Sequence, residues 1–321
     1  MVYTRDSKSR AARLMGSSPI SGTMEKPKII AIVGPTASGK TSLSIEIAKQ
    51  FGGEVISADS RQIYRGMDIG TAKVTPEEMA GVPHHLIDIV EPNDTYTATD
   101  FKKDATDAIL EIQSRGHLPI IAGGTFFYLD ILRGKMEAAP VEPNLALREK
   151  LETLSTEALF EMLTQRDPVR AEAIDQHNRR RLIRSLEIID SLGSVPVVIT
   201  SESPYDWLMI GLQVDKETIL KNYSRRLSDW LEAGFLEEVT HLLQSGVSRA
   251  RFQEIGYEYT LALDYIDKKI TETEFKQKFI EKNWQFAKRQ IMWLKRDQEI
   301  EWFTLEGRPD IFKCVDKFLS N

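Results

Sequence analysis

The run Gly34-Pro-Thr-Ala-Ser-Gly-Lys-Thr41 constrains this chain more than any other stretch, because it dictates what must lie on either side of it. The fixed positions of G-x-x-x-x-G-K-[ST] turn up by chance in roughly one chain per hundred of this length. Upstream, Lys28 to Val33 is a short apolar, β-branched run that suits a buried parallel strand. Downstream, Leu43, Ile47 and Phe51 recur at the spacing of one helix face. A glycine-rich turn between strand and helix aims successive backbone N–H groups inward, at the positive end of the helix dipole. Such a loop cradles a diphosphate or longer. Gly34, Thr36, Ala37, Ser38, Gly39, Lys40 and Thr41 are the candidate binding residues, Lys40 adding positive charge and the Thr41 hydroxyl offering a ligand to Mg2+. The loop alone does not say what carries the phosphates.

Strands and helices go on alternating after the loop. Glu54 to Asp59 reads as a second strand, Pro119 to Thr125 as a third and Trp207 to Val214 as a fourth. The expected fold is α/β, a P-loop NTPase-like parallel sheet with helices on both faces. Residues 133–205 are charged and helical in pattern, apart from the apolar run Val195 to Ile199, and read as a mainly helical insertion domain. The chain then divides into an N-terminal extension (1–24), a first part of the catalytic core (25–132), the insertion (133–205), and a second part with C-terminal helices (206–321). The extension carries Arg5, Lys8, Arg10 and Arg13 among serines and small residues, with no apolar stretch of secretory length. It is expected to be disordered, and Met24 is an equally good start. His84 and His85 read as a loop pair.

Composition narrows the function. The chain has 321 residues, 41% of them hydrophobic, enough for a large core. It has no apolar run long enough to cross a bilayer, so no membrane partner is expected. The single cysteine, Cys314, rules out an intramolecular disulfide, suits a reducing cytoplasm and reads as packing. A formal net charge of -6 excludes a generally basic nucleic-acid binder but leaves room for a local basic patch. Five histidines without zinc-ligand spacing argue against a structural metal site.

In open α/β sheets ligands collect at the carboxyl ends of the strands. Three features should meet there: the cradle, Asp59 after the second strand, and Gly123-Gly124-Thr125 after the third. Asp59 has two roles open to it, holding Mg2+ through water or acting as a general base.

The residues after it carry a resemblance. Asp59-Ser60-Arg61-Gln62-Ile63-Tyr64-Arg65-Gly66-Met67-Asp68-Ile69-Gly70-Thr71-Ala72-Lys73, fifteen consecutive positions, resembles the signature of the tRNA dimethylallyltransferases, or tRNA isopentenyltransferases, of bacterial type. The similarity continues through Gly81 to Asp88, Gly123 to Tyr128, Arg181 to Glu187, Glu232 to Val239, Ile255 to Tyr257 and Ala287 to Gln290, so it covers nearly everything after the extension. The resemblance implies transfer of a dimethylallyl group from dimethylallyl diphosphate to N6 of the adenosine 3′ of the anticodon, with the cradle holding a leaving group. Lys40 and a Mg2+ near Thr41 would then offset the charge that builds on the departing oxygens. Asp59 becomes the base for the poorly nucleophilic adenine amino group. Arg226 matches the arginine that the family sets against the diphosphate from the far side of a channel. Ser60 and Gln62 are the family's candidates for reading neighbouring base edges, and Thr125 lines the opposite mouth. The partners implied are dimethylallyl diphosphate and the anticodon stem-loop of tRNA, whose adenosine must leave its stack. A monomer is expected.

Two basic stripes could hold the RNA backbone. In the insertion, Arg180, Arg184 and Glu187 share one helix face, opposite Leu182, Leu186 and Ile189, with Arg181 beside them. Near the C-terminus Lys282, Arg289 and Arg296 repeat every seven residues, with Trp293 on their side and Trp284 and Ile291 on the other. Two departures from the family stand out: Arg180 occupies the place of a glutamine expected to read the anticodon loop, and Met292 replaces a threonine. Two other readings stay open, a P-loop kinase of a small metabolite and a dimethylallyltransferase acting on free AMP or ADP.

Overall fold

A computed structural model describes residues 25–196 and 202–321. In chain order the elements are β1 (Lys28–Val33), α1 (Lys40–Phe51), β2 (Gly53–Ser57), α2 (Pro76–Met79), β3 (His84–His85), α3 (Ala98–Ser114), β4 (Leu118–Ala122) and α4 (Phe126–Leu132). The insertion follows as α5 (Leu145–Glu152), α6 (Thr156–Arg166), α7 (Pro168–Ala173) and α8 (Arg179–Leu192). Then come β5 (Asp206–Leu212), α9 (Lys216–Glu232), α10 (Phe235–Gln244), α11 (Arg249–Ile255), α12 (Tyr257–Ile266), α13 (Glu272–Leu294), β6 (Ile300–Phe303) and α14 (Arg308–Ser320).

The six strands form one sheet in the order β3-β2-β4-β1-β5-β6, parallel throughout. Alternate residues of β1 feed opposite faces, as a strand's period of two requires. Ile29, Ala31 and Val33 enter a core with α3 and α4, whereas Ile30 and Ile32 pack with α1 and α14. The result is the expected three-layer α/β arrangement, and P-loop and helix follow β1 at the centre of the sheet. Helices α10 to α13 build a third core around Phe235, Phe252, Tyr259, Phe275 and Phe279, closed by Ile63, Tyr64 and Met67 from the chain after β2.

Helices α5 to α8 close on a core of their own around Leu159, Leu163, Leu182 and Leu186. Val195 packs on its edge; residues 197–199 of the apolar run, and the N-terminal extension, lie outside the described residues.

The strands end earlier than the sequence suggested. β2 stops at Ser57, β4 at Ala122 and β5 at Leu212, so Asp59 and Gly123 to Thr125 stand on turns beyond the sheet rather than in it. His84 and His85 are not a loop pair: they pair with Val55 and Ile56 and form the edge strand β3. β6, on the opposite edge, has no counterpart among the four expected strands.

Candidate active site

The phosphate loop is shaped by backbone that side chains resist. Ala37 has φ 66° and Gly39 φ 89°, both left-handed, so the chain curls before α1 begins at Lys40. Gly123 meets another constraint, because a Cβ there would lie 2.2 Å from the Ala58 carbonyl oxygen. This glycine lets the chain after β4 cross the chain after β2, and Thr125 N–H then donates to the Ala58 carbonyl at 3.1 Å.

Inside the loop Lys40 Nζ donates to the carbonyls of Gly34 (3.0 Å) and Pro35 (2.8 Å). Burial pulls its pKa down to about 8, against the opposing attraction of Asp59, and Arg226 pushes it further down. The Ser38 hydroxyl is buried and, among the described residues, has no hydrogen-bond partner. Helix α9 braces the loop from outside: Asn222 Nδ2 donates to the Ala37 carbonyl (3.0 Å) and the Tyr223 hydroxyl to that of Thr36 (3.2 Å).

Beyond Thr36 opens a cleft lined by Asp59, Ser60, Thr125, Arg226 and Gln290 among others. It brings the ends of β1, β2 and β4 together with α9 and α13. The Asp59 carboxylate is oriented by backbone alone, Oδ1 accepting from Arg61 N–H (2.9 Å) and Gln62 N–H (3.4 Å). Its Oδ2 has no hydrogen-bond partner among the described residues. Arg226 makes no ion pair among the described residues; burial lowers its pKa from the ordinary arginine value, against attraction from Tyr223 and Glu258. This uncommitted cation reaches the cleft from α9.

Other expected residues are placed differently. Gln62 is spent within the protein, its amide donating to the Ala72 carbonyl (3.0 Å) and accepting from the Ser57 hydroxyl (3.0 Å), so it does not line the cleft. Thr125 does not face Ser60 across a mouth. Its Oγ1 accepts from Ser60 N–H at 3.1 Å and lies 3.3 Å from the Ser60 hydroxyl, so the two form one rim. In the insertion, Arg180 and Arg181 are exposed, but Arg184 is not part of an open stripe. It pairs with Glu187 and donates to the Val141 carbonyl. Glu187, expected on a solvated face, is 1% exposed and also receives Arg148 and the Asn144 N–H. On α13, Lys282 and Arg289 are exposed, whereas Arg296 lies past the helix end. Trp293 packs against the core that holds α3 and α4, and its indole N–H donates to Asp130 (2.9 Å).

The residues the sequence left without a role are those that link elements. Arg61 pairs with buried Glu258 at 2.7 Å and lies over the Phe286 ring, 5.4 Å from its centroid. Gln290 joins α13 to the phosphate loop. Both sit inside runs that carried the resemblance, yet no local pattern marks a side chain whose partner lies 197 or 254 residues away.

The comparisons with known proteins give the family. A family profile described as IPP transferase matches residues 62–297. The chain is 42% identical over 307 residues to the tRNA dimethylallyltransferase of Shouchella clausii, covering 92% of this chain and 98% of that one. The chain belongs to the IPP transferase family. A tRNA dimethylallyltransferase of Staphylococcus carnosus is likewise 42% identical, over 88% of this chain and 92% of its own. Among solved structures, the tRNA isopentenylpyrophosphate transferase of Bacillus halodurans is 37% identical with a TM-score of 0.68, covering 92% of this chain and 96% of its own. A eukaryotic dimethylallyltransferase acting on tRNA, at 24% identity, shares the fold with a TM-score of 0.73, over 92% of this chain and 80% of that one. The P-loop NTPase-like fold expected from the sequence is the fold of this family. Among the described residues no helix is long and apolar enough to cross a membrane.

Proposed function

We infer that this IPP transferase is a tRNA dimethylallyltransferase, moving the dimethylallyl group of dimethylallyl diphosphate to N6 of the adenosine 3′ of the anticodon. The observation that carries the reading is the opening of a diphosphate-type loop into a cleft whose one carboxylate on the β2 side, Asp59, keeps an oxygen free. In the reaction the allylic C–O bond breaks, its electron pair leaves on the diphosphate, and the N6–C bond forms. Lys40 and Arg226 approach that diphosphate from β1 and α9 and offset the charge gathering on it. The N6 proton passes to Asp59 Oδ2, while Oδ1 stays fixed by two backbone N–H groups.

The loop fits Mg2+. Thr41 stands exposed in the first turn of α1, and among the described residues there is no cluster of three acidic, histidine or cysteine side chains to hold a metal alone. The Thr41 hydroxyl and the diphosphate oxygens would hold the ion, which keeps several waters and supplies positive charge on the leaving group. Exposed Arg180 and Arg181 on the insertion, and Lys282 and Arg289 on α13, suit an anticodon stem-loop. Loop, Asp59 and Arg226 all come from one chain, so a monomer suffices.

The kinase and free-nucleotide readings gain no support from the family membership. The deciding experiment is incubation with unmodified tRNA and labelled dimethylallyl diphosphate, followed by nucleoside analysis. Label on N6 of the base beside the anticodon is expected; consumption of ATP with no label in tRNA would sink the reading.

A further inference from the structure

Arg61 stands two residues after Asp59 in the turn that follows β2, and both line the cleft. An arginine so placed beside a carboxylate with a free oxygen ordinarily closes on it, because its fork of N–H donors matches the two oxygens. Here it does not. Its Nη1 donates to Glu258 Oε2 at 2.7 Å, at the start of α12, and its guanidinium carbon lies 5.4 Å from the centroid of the Phe286 ring and 5.8 Å from that of Tyr257. Gly256 leaves room for this meeting: a Cβ there would lie 2.8 Å from Glu258 Oε2 and 3.1 Å from the Arg61 guanidinium carbon. The Arg61 and Glu258 side chains are 21% and 6% exposed, so water screens their attraction little.

Two carboxylates therefore compete for one guanidinium. Burial disfavours the charge of Arg61, but attraction to Glu258, then to Asp59, and the Glu258 hydrogen bond outweigh it and hold its pKa above the ordinary arginine value. Asp59 is thus within the field of Arg61, yet touches only backbone N–H groups, and only through Oδ1. An Arg61 guanidinium closed on Asp59 would cover Oδ2 and make it a weaker proton acceptor. We propose that Glu258 is a positioning residue for the proton transfer: it holds the Arg61 guanidinium away from Asp59, so that Oδ2 stays open to the adenine amino group. The inference rests on the prenyl-transfer reading and adds to it a residue of α12 that acts on the base only through Arg61.

The test is single-turnover prenyl transfer to tRNA, with pyrophosphate and tRNA affinities measured beside it, in Glu258→Gln and in the double variant Glu258→Gln, Arg61→Gln. Glu258→Gln leaves the arginine charged without its charged partner, so it turns to Asp59, and the transfer rate should fall by about tenfold or more with both affinities kept. The double variant removes the charge that closes on Asp59 and keeps the backbone N–H donors of the turn, so it should transfer faster than the single variant. A general loss of packing predicts the reverse, since the second substitution can only add to it. Glu258→Gln at the wild-type rate, or a double variant no faster than Glu258→Gln, would overturn the proposal. Where Glu258→Gln does not fold, the double variant decides alone, because removing both members of a buried ion pair is often close to neutral for stability. Prenyl transfer by it supports the proposal, and its absence from a folded double variant overturns it. Wild-type protein that moves no label to tRNA would remove the functional reading itself, and this inference with it.

Discussion

Asp59 owes its geometry to a turn and not to a strand. Two backbone N–H groups hold one oxygen and leave the other toward the cleft, so Asp59→Asn should keep the turn and lose the base. Prenyl transfer should fall by about 10²–10⁴ with tRNA affinity unchanged, which single-turnover assays and filter binding can separate. Lys40 gives a pH signature of its own. Burial lowers its pKa to about 8 in the free protein, so the ammonium is present below that pH and is lost as pH rises through it. A bound diphosphate favours the charged form and raises that pKa, hence pyrophosphate binding above pH 8 should take up a proton and weaken as pH rises. Calorimetry in two buffers of different ionisation enthalpy would read both, and proton release on binding would contradict the assignment. The phosphate loop was legible because its residue types announce a task; Asp59 was marked by its place after a strand, and Arg226 was reached only through the family resemblance. Gln62 is the opposite case: an amide suited to reading a base is equally suited to joining Ser57 to Ala72, and its residue type does not say which.

At the level of elements, α8 shows where helical periodicity stops being informative. Arg180, Arg184 and Glu187 share a face by spacing, but the segment from Ala139 to Arg148 folds over part of that face and buries Glu187 among Arg148, Arg184 and the Asn144 N–H. Periodicity sees one helix at a time and cannot report what covers it. Replacing Arg180 and Arg181 together by Ala should weaken tRNA binding and flatten its salt dependence by about one to two units of slope, without moving pyrophosphate affinity. Arg184→Ala should act through stability instead. It leaves a buried carboxylate short of a partner, at a cost of about 2 kcal/mol, seen as a lowered Tm with tRNA affinity largely kept. Short elements escaped for a related reason: β3 has two residues and β6 four, fewer than an alternating pattern needs to show itself.

Across the whole molecule, the far end of the sheet is fastened by charge. Glu54, buried in β2, accepts from Arg115 at 2.9 and 2.7 Å, His85 at 2.6 Å and His117 at 2.6 Å, joining β2, β3 and the turn before β4. The Arg115 hydrogen bonds, with those of the histidines, lower its pKa from 4.5 to about 2 against the cost of burial. A carboxylate depressed in the folded state stabilises fully above its unfolded value and loses that contribution as pH falls. The Tm of wild type should therefore exceed that of Glu54→Gln at neutral pH, and the gap should close between pH 4.5 and 2. A gap that persisted to pH 2 would show the cluster to act by shape alone. The overall α/β plan was readable from alternating strands and helices, whereas the strand order was not, because nothing local says that β4 inserts between β1 and β2.

That order has a consequence during synthesis. β1 pairs with β4 on one side and β5 on the other, and a Cβ on Gly34 would lie 3.1 Å from the Leu212 carbonyl, so the turn after β1 is walled by a strand that leaves the ribosome some 180 residues later. Helices α5 to α8, with a hydrophobic centre of their own, end at Leu192, shortly before that wall begins at Asp206. A chain released early thus has an anion-holding turn with one wall missing, and translation must run past β5 and α9, which carries Arg226, before a prenyl donor can be captured.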